Sequence, residues 1–137
     1  MTEKRKIACL IPYRIENDSI FVFMQKKAED APRAPGSFGF FGGGAEGDET
    51  PEENMKREVR EELNISPTGY SYFKKYVSER ADMDAFIMKV EDGFENTVTV
   101  SEGEYGRWFS NKEAADENKI SDLDKTVVQE LYEFLMK

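Results

Sequence analysis

The segment Thr50–Leu63 constrains the fold of this 137-residue chain more than any other part of the sequence. Thr50 can cap the start of a helix, Pro51 suits the first helical position, and Glu53 can complete a capping box with the threonine. Apolar side chains follow at four-residue spacing and form one stripe, which comprises Met55, Val59 and Leu63. Asn64 tolerates the left-handed conformation that ends many helices. The segment therefore predicts an amphipathic helix that packs its stripe against a core.

Apolar and aromatic runs on both sides of this helix predict strands. The predicted strands are Ile7–Tyr13, Ser19–Gln25, Ser37–Phe41, Tyr70–Val77, Met83–Val90, Thr97–Val100 and Glu104–Phe109. A closing helix is predicted from about Ser121, and its apolar face comprises Val127, Val128, Leu131, Phe134 and Leu135. This order of elements predicts an α+β fold in which a mixed β-sheet packs between helices. The length suits a single domain that spans residues 1–137.

Composition excludes several classes of protein. No apolar run approaches the roughly 20 residues that span a bilayer, and the stretch Met1–Lys6 is charged, so we expect a soluble cytoplasmic protein. The net charge of -9 argues against binding to a nucleic-acid polymer or an anionic membrane. Cys9 is the single cysteine and histidine is absent, which excludes an intrachain disulfide, the common zinc and iron–sulfur sites, and histidine-based catalysis.

Acidic residues concentrate in and just before the predicted helix. Between Glu46 and Glu62 the sequence has eight acidic and three basic residues. On a helix, Glu58, Glu61 and Glu62 fall within a sector of roughly 100°, where their charges repel one another. A divalent cation with oxygen ligands would offset that repulsion, and carboxylates without histidine or cysteine favour Mg2+ or Mn2+. The alternative is an acidic helix face that is simply solvated.

Three consecutive glycines, Gly42 to Gly44, lie shortly before the acidic helix. Because glycine has no side chain, the backbone there can approach a ligand closely. By themselves, the glycines favour a mobile turn. Together with the carboxylates of the helix, they indicate chemistry on a phosphate group that a metal ion bridges.

The spacing of these residues resembles the Nudix box, which is G-x5-E-x7-R-E-U-x-E-E-x-G-U, where U is apolar. Eight of its nine defined positions agree, namely Gly43, Glu49, Arg57, Glu58, Val59, Glu61, Glu62 and Ile65. The departure is Asn64, where the family has glycine. Since asparagine also adopts positive φ at a helix end, we expect the chemistry to be intact. Phe41 stands where many members have proline, which affects the expected shape of the loop.

The resemblance implies which residues hold the metal ion. The box ligands are Glu58 and Glu62, followed by Glu61, together with the carbonyl oxygen of Gly43. In MutT-like members a further acidic residue reaches the metal from a later loop that precedes a Trp-containing strand. Glu102 matches that position best here.

The remaining site residues follow from the same resemblance. Glu49 and Arg57 would brace the metal ligands, and Glu104 is the alternative to Glu102 in the later loop. The metal lowers the pKa of a bound water, and a glutamate of the cluster, with Glu58 favoured, would accept its proton. The water then hydrolyses a diphosphate linkage.

Fewer residues point to the substrate. Lys27, with Lys26 beside it, stands where a MutT-like enzyme has a phosphate-contacting cation, and the backbone of Gly43 and Gly44 would approach the phosphates. Asp122 or Asp124 can accept hydrogen bonds from a base edge or, alternatively, cap the last helix. The aromatic residues that could stack on a base or pack in the core are Phe21, Phe23, Phe38 and Phe40.

Together these features predict a Mg2+-dependent, MutT-like hydrolase that converts a nucleoside triphosphate to the monophosphate and pyrophosphate. Two alternatives remain open at this point. One is a Nudix pyrophosphatase for ADP-ribose or nucleotide sugars, and the other is a Nudix-fold nucleotide-binding or regulatory domain that does not hydrolyse. The expected partner is a small nucleotide-type molecule, and the chain is expected to be a monomer or a homodimer.

Overall fold

The computed structural model describes residues 4–137, and the first residues of the charged stretch Met1–Lys6 lie outside this range. The strands are β1 Arg5–Glu16, β2 Ser19–Lys26, β3 Phe38–Gly39, β4 Phe41–Gly44, β5 Tyr70–Val77, β6 Ala81–Lys89 and β7 Tyr105–Ser110. The helices are α1 Pro51–Leu63, α2 Asn111–Asp116 and α3 Asp122–Leu135, with a 3-10 turn at Phe94–Asn96. Among the described residues, no helix is both long and apolar enough to cross a membrane.

The seven strands form one mixed sheet with β1 at its centre. The strand order is β3-β2-β1-β6-β5, β4 pairs with β1, and β7 pairs with β2. The pair of β1 and β6 is parallel, and the other pairs are antiparallel. Side chains alternate between the two faces of a strand, so β1 contributes to both cores. The predicted α+β fold, a mixed sheet between helices, is confirmed.

Each face of the sheet is covered by helices. On one face the predicted stripe of α1, Met55, Val59 and Leu63, is fully buried. On the other face α3 buries Val127, Val128 and Leu131. Phe134, which the sequence places on the same apolar face, is not buried with them: its side chain is 51% exposed and packs edge-to-face on Phe73.

Local chemistry explains why α1 begins and ends where the sequence predicts. The Thr50 hydroxyl accepts a hydrogen bond from the Glu53 N–H, and the Glu53 carboxylate accepts one from the Thr50 N–H. Asn64 ends the helix with φ of 59°, in the left-handed region. These caps satisfy backbone groups that a helix leaves unpaired at its termini.

Three segments differ from the prediction. The predicted strand Ser37–Phe41 is two short strands, β3 and β4, which pair with different neighbours, β2 and β1. The segment Thr97–Val100 is not a strand, because its backbone turns toward the end of α1, where Thr99 N–H donates to the Leu63 carbonyl at 3.2 Å. The short helix α2 was not predicted, although Ser110 and Glu113 form a capping box that marks its start.

Candidate metal and phosphate site

The glycine strand β4 lies against the carboxylates of α1. A Cβ atom added to Gly43 would lie 2.7 Å from the Glu58 Oε1 atom, closer than real Cβ contacts allow. The missing side chain therefore makes room for Glu58. Burial raises the pKa of the Glu58 carboxyl, and the neighbouring charges of Glu61 and Glu102 act in the same direction. Strand and helix together hold this carboxylate beside the backbone of Gly43.

Glu62 is the most deeply placed acidic residue of the site, with 3% of its surface exposed. Its Oε1 accepts a hydrogen bond from Gly42 N–H at 2.7 Å, and its Oε2 accepts one from Gln25 Nε2 at 3.0 Å. Burial raises the pKa of this carboxyl to about 8, and the nearby charges of Glu58 and Glu102 contribute to the shift. Two donors fix the orientation of Glu62, yet its negative charge is poorly compensated.

Glu102 joins these two residues from the loop before β7. One carboxylate oxygen from each of Glu58, Glu62 and Glu102 lies within 4.8 Å of the others, and we call these three the carboxylate cluster. Glu61 lies outside it, because its side chain is 47% exposed and faces Arg57. The converging group is thus two helix carboxylates and the loop residue Glu102, whereas the helical spacing alone also grouped Glu61 with Glu58 and Glu62.

Asn64 ties the loop of Glu102 to the end of α1. Its Nδ2 donates to the Thr99 carbonyl at 3.1 Å and to the Ser101 hydroxyl at 2.5 Å. The Ser101 N–H also donates to the Glu62 carbonyl at 2.8 Å. The one residue that departs from the Nudix box therefore makes contacts that glycine could not make, and they hold the residue just before Glu102.

We expect Asn64→Gly to weaken Mn2+ binding about three- to tenfold while the free energy of unfolding changes by no more than ~1 kcal/mol. Glycine relieves the cost of positive φ but removes both side-chain hydrogen bonds to the loop. Titration calorimetry and thermal unfolding measure the two effects. Asn17→Gly is the matched control, because Asn17 also has positive φ but lies in the distant β1–β2 turn. Unchanged Mn2+ affinity in Asn64→Gly would show that the hydrogen bonds of Asn64 to the loop do not support the metal site.

Arg57 makes contacts with Glu49, with the glycine strand and with Glu58. It donates from Nε to Glu49 Oε2 at 2.7 Å and from Nη2 to Glu49 Oε1 at 3.0 Å, a two-pronged ion pair. Its Nη2 also donates to the Gly44 carbonyl at 3.0 Å, and its Nη1 donates to Glu58 at 3.1 Å. The guanidinium lowers the pKa of the Glu49 carboxyl. One arginine thus connects the loop before α1, the strand β4 and the carboxylate cluster.

Asn54 and Gln25 were missed by the sequence-based predictions. Buried Asn54 donates from Nδ2 to the Gly43 carbonyl at 3.1 Å and accepts from Arg57 at 3.1 Å. Buried Gln25 holds Glu62 from β2. Neither residue lies in a defined position of the box, and only the folded chain brings Gln25 to the helix.

A cavity of about 570 Å3 opens beside the carboxylate cluster. Glu62, Glu102 and Gly43 line one part of it, and Lys27 and Asp124 line another. The size lies within the usual range for sites that bind small molecules. The cluster therefore stands at the wall of a space that can hold a ligand.

Only some of the residues predicted to contact the substrate line the cavity. Lys27 lines the cavity, whereas Lys26 is buried and pairs with Glu29 at 3.2 Å and Glu104 at 3.4 Å. Glu104, the alternative to Glu102, therefore belongs to an ion pair outside the carboxylate cluster. Asp122 is exposed and does not line the cavity.

Asp124, the other aspartate predicted to contact a base edge, does line the cavity. Burial raises the pKa of the Asp124 carboxyl to about 6, and the charge of Lys27 opposes the shift. The alternative in which one of these aspartates caps α3 is wrong, because the Ser121 hydroxyl accepts from the Asp124 N–H and is the cap.

The donors of the carboxylate cluster fit a hard divalent cation. All are oxygen atoms, and the positions of Glu58 and Glu62 are fixed by hydrogen bonds from neighbouring residues. Burial and mutual repulsion disfavour the charged form of both carboxyls, and a bound cation would offset both effects. Mg2+ and Mn2+ prefer such oxygen ligands.

Comparisons with known proteins agree with this geometry. The family model described as NUDIX domain matches residues 3–131. The 8-oxo-dGTP diphosphatase of Escherichia coli K12 is 33% identical over 97 residues, which cover 70% of this chain and 74% of that protein.

Solved structures give the same fold at lower sequence identity. A MutT structure, from work on the Aliivibrio salmonicida and Vibrio cholerae proteins, is 22% identical with a TM-score of 0.75, over 96% of this chain and 99% of that one. The NUDIX domain of Shewanella oneidensis NrtR, solved with ADP ribose, is 12% identical with a TM-score of 0.75, over 98% of this chain and 90% of that one. The family model spans nearly all of the chain and includes every residue of the box. The chain therefore belongs to the Nudix family, and it is a MutT-like hydrolase.

Proposed function

We propose that this chain hydrolyses a nucleoside triphosphate to the nucleoside monophosphate and pyrophosphate. The observation that carries the proposal is the convergence of Glu58, Glu62 and Glu102 within 4.8 Å at the wall of the 570 Å3 cavity. An acidic group at a cavity for small molecules requires a cation if it is to receive an anionic phosphate chain. The whole chain, residues 1–137, would act as one catalytic domain.

In this proposal the carboxylate cluster and the Gly43 carbonyl would hold Mg2+, and Glu61, which lies outside the cluster and contacts Arg57, would be a further ligand. When bound, the ion neutralises phosphate charge and acidifies a water. Glu58 accepts the proton of the attacking water. Gln25 and the Gly42 N–H orient Glu62, while Arg57 and Glu49 hold the glycine strand in place.

Lys27 and the backbone of Gly43 and Gly44 would contact the phosphates in this proposal. Asp124, rather than Asp122, would accept hydrogen bonds from the amino group of a base, because only Asp124 lines the cavity. Lys27 is close to Asp124 and lowers the pKa of its carboxyl, while burial raises it more strongly. This part of the cavity can therefore recognise both a phosphate and a base edge.

The test is a substrate panel with Mg2+ that contains nucleoside triphosphates, ADP-ribose and nucleotide sugars. Release of pyrophosphate from a triphosphate supports the proposal. Cleavage of only ADP-ribose or a nucleotide sugar would overturn the proposal and indicate a Nudix pyrophosphatase for those substrates. Binding without cleavage across the panel would overturn hydrolysis and leave a nucleotide-binding domain.

We expect the affinity for adenosine, cytidine or guanosine, which have no phosphate that titrates in this range, to fall as the pH drops from 7 to 5. Because the Asp124 carboxyl has a pKa of about 6, lowering the pH through 6 protonates it and removes a charged acceptor for the base amino group. In Asp124→Asn the acceptor stays neutral at all pH values, so the profile should flatten. Fluorescence or calorimetric titration without metal measures both proteins. If the dependence of affinity on pH flattens in Asp122→Asn instead, Asp122 is the residue that contacts the base.

A further inference from the structure

Two arginines line the cavity without a carboxylate partner. Arg5 begins β1, and Arg33 lies in the loop between β2 and β3. None of the ion pairs formed by residues 4–137 includes either guanidinium. Lys27, the other cation of the cavity lining, has the charge of Asp124 nearby. The positive charge of the two arginines therefore remains available to a ligand.

Arg5 lies directly beside the glycine strand. A Cβ atom added to Gly44 would lie 3.3 Å from the Arg5 Nη2 atom, whereas one added to Gly43 would meet Glu58. Successive residues of a strand face opposite sides, so the guanidinium and the Glu58 carboxylate flank β4 at adjacent positions. Arg5 thus lies on the face of β4 opposite to Glu58, and the cavity that Arg5, Glu62 and Glu102 line connects the guanidinium with the carboxylate cluster.

Arg5 and Arg33 are close enough for their charges to interact. Burial lowers the pKa of the Arg5 guanidinium, and the charge of Arg33 lowers it further. Two cations that face one cavity repel each other unless an anion lies between them. The guanidinium group binds phosphate with two parallel hydrogen bonds, which makes phosphate the ligand chemistry that suits this pair.

We propose that Arg5 and Arg33 form an anion subsite. It would bind a phosphate of the substrate that the metal ion at the carboxylate cluster does not contact. This inference rests on the proposed function and assigns two residues to the far end of the phosphate chain. A chain of phosphates that reaches from the cluster to the arginines has a free charged end, as in a nucleoside triphosphate. A nucleotide sugar or ADP-ribose would instead present uncharged sugar atoms to the arginines.

The test measures binding rather than turnover, so that it is independent of hydrolysis. Calorimetry with Mg2+ compares a nonhydrolysable nucleoside triphosphate analogue, the matching monophosphate and inorganic tripolyphosphate. We expect Arg5→Gln and Arg33→Gln each to weaken binding of the analogue about tenfold, and monophosphate binding to stay within about twofold. Arg80→Gln is the matched control, since Arg80 is exposed and does not line the cavity.

Three outcomes would overturn the subsite. These are no change for the analogue, equal weakening for analogue and monophosphate, and weakening for inorganic tripolyphosphate alone. The last would assign the arginines to a free anion. Arg33 is exposed in a loop, so Arg33→Gln retains the test even if Arg5→Gln fails to fold. Binding that follows the expected pattern without any turnover would refute the proposed function and leave the subsite intact.

Discussion

Replacing Glu62 with glutamine is expected to lower turnover at least ~100-fold. The substitution removes the buried carboxylate that would bind the metal ion while keeping the size of the side chain. Steady-state kinetics with a nucleoside triphosphate measure the loss. Glu133→Gln is the matched control, because Glu133 is an exposed glutamate on α3 and is not part of the carboxylate cluster. This variant should keep full activity.

The fold should tolerate Glu62→Gln. The wild-type carboxylate accepts from Gly42 N–H and from Gln25, and an amide offers only one oxygen, so one donor loses its acceptor at a cost of ~1–3 kcal/mol. At pH 7 without metal, a pKa of about 8 leaves the Glu62 carboxyl largely protonated, so the substitution changes little charge at this site. We therefore expect the melting temperature without metal to stay within about 5 °C of wild type. Near-native turnover in a folded variant would refute the role of Glu62 as a metal ligand.

Alanine at two adjacent glycines should give opposite results. At Gly42 the new Cβ atom would lie 2.1 Å from the Ala8 carbonyl oxygen, and φ is +159°. Since β1 is the centre of the sheet, we expect Gly42→Ala to lower the free energy of unfolding by at least about 3 kcal/mol. At Gly43 the new atom meets only the end of the flexible Glu58 side chain. Gly43→Ala should fold, but with turnover at least ~100-fold lower.

Chemical denaturation and steady-state kinetics measure the two glycine variants. Gly69→Ala is the control, because Gly69 has positive φ but no neighbour within 4 Å of an added Cβ atom. It should lose only about 1–2 kcal/mol and no activity. A Gly43→Ala enzyme with normal turnover would mean that Glu58 need not occupy its place beside the glycine strand.

The parts of the structure that depend on local chemistry were predictable from the sequence. The helix α1 begins after Thr50 and ends at Asn64 because neighbouring residues satisfy its terminal backbone groups. The segment Tyr70–Val77 is a strand with the predicted bounds. The helix α2 was equally accessible, since Ser110 and Glu113 carry the sequence signature of a capping box.

The parts that depend on contacts between distant segments were not predictable in the same way. The helical sector alone groups Glu61 with Glu58, whereas the fold groups Glu58 and Glu62 with a loop residue. The position of Gln25 beside Glu62 depends on how β2 pairs within the sheet. Burial of Asp124 likewise depends on how α3 packs, and neighbouring residues along the chain do not reveal it.

The most direct test of the central claim is a crystal structure with Mn2+ and a nonhydrolysable nucleoside triphosphate analogue, with anomalous scattering used to locate the metal. We expect an anomalous peak among Glu58, Glu62 and Glu102, with oxygen ligands at roughly 2.0–2.2 Å. We also expect the phosphate chain to run from that peak into the cavity. A structure with the nucleotide bound in the cavity and no peak at the carboxylate cluster would contradict the metal site.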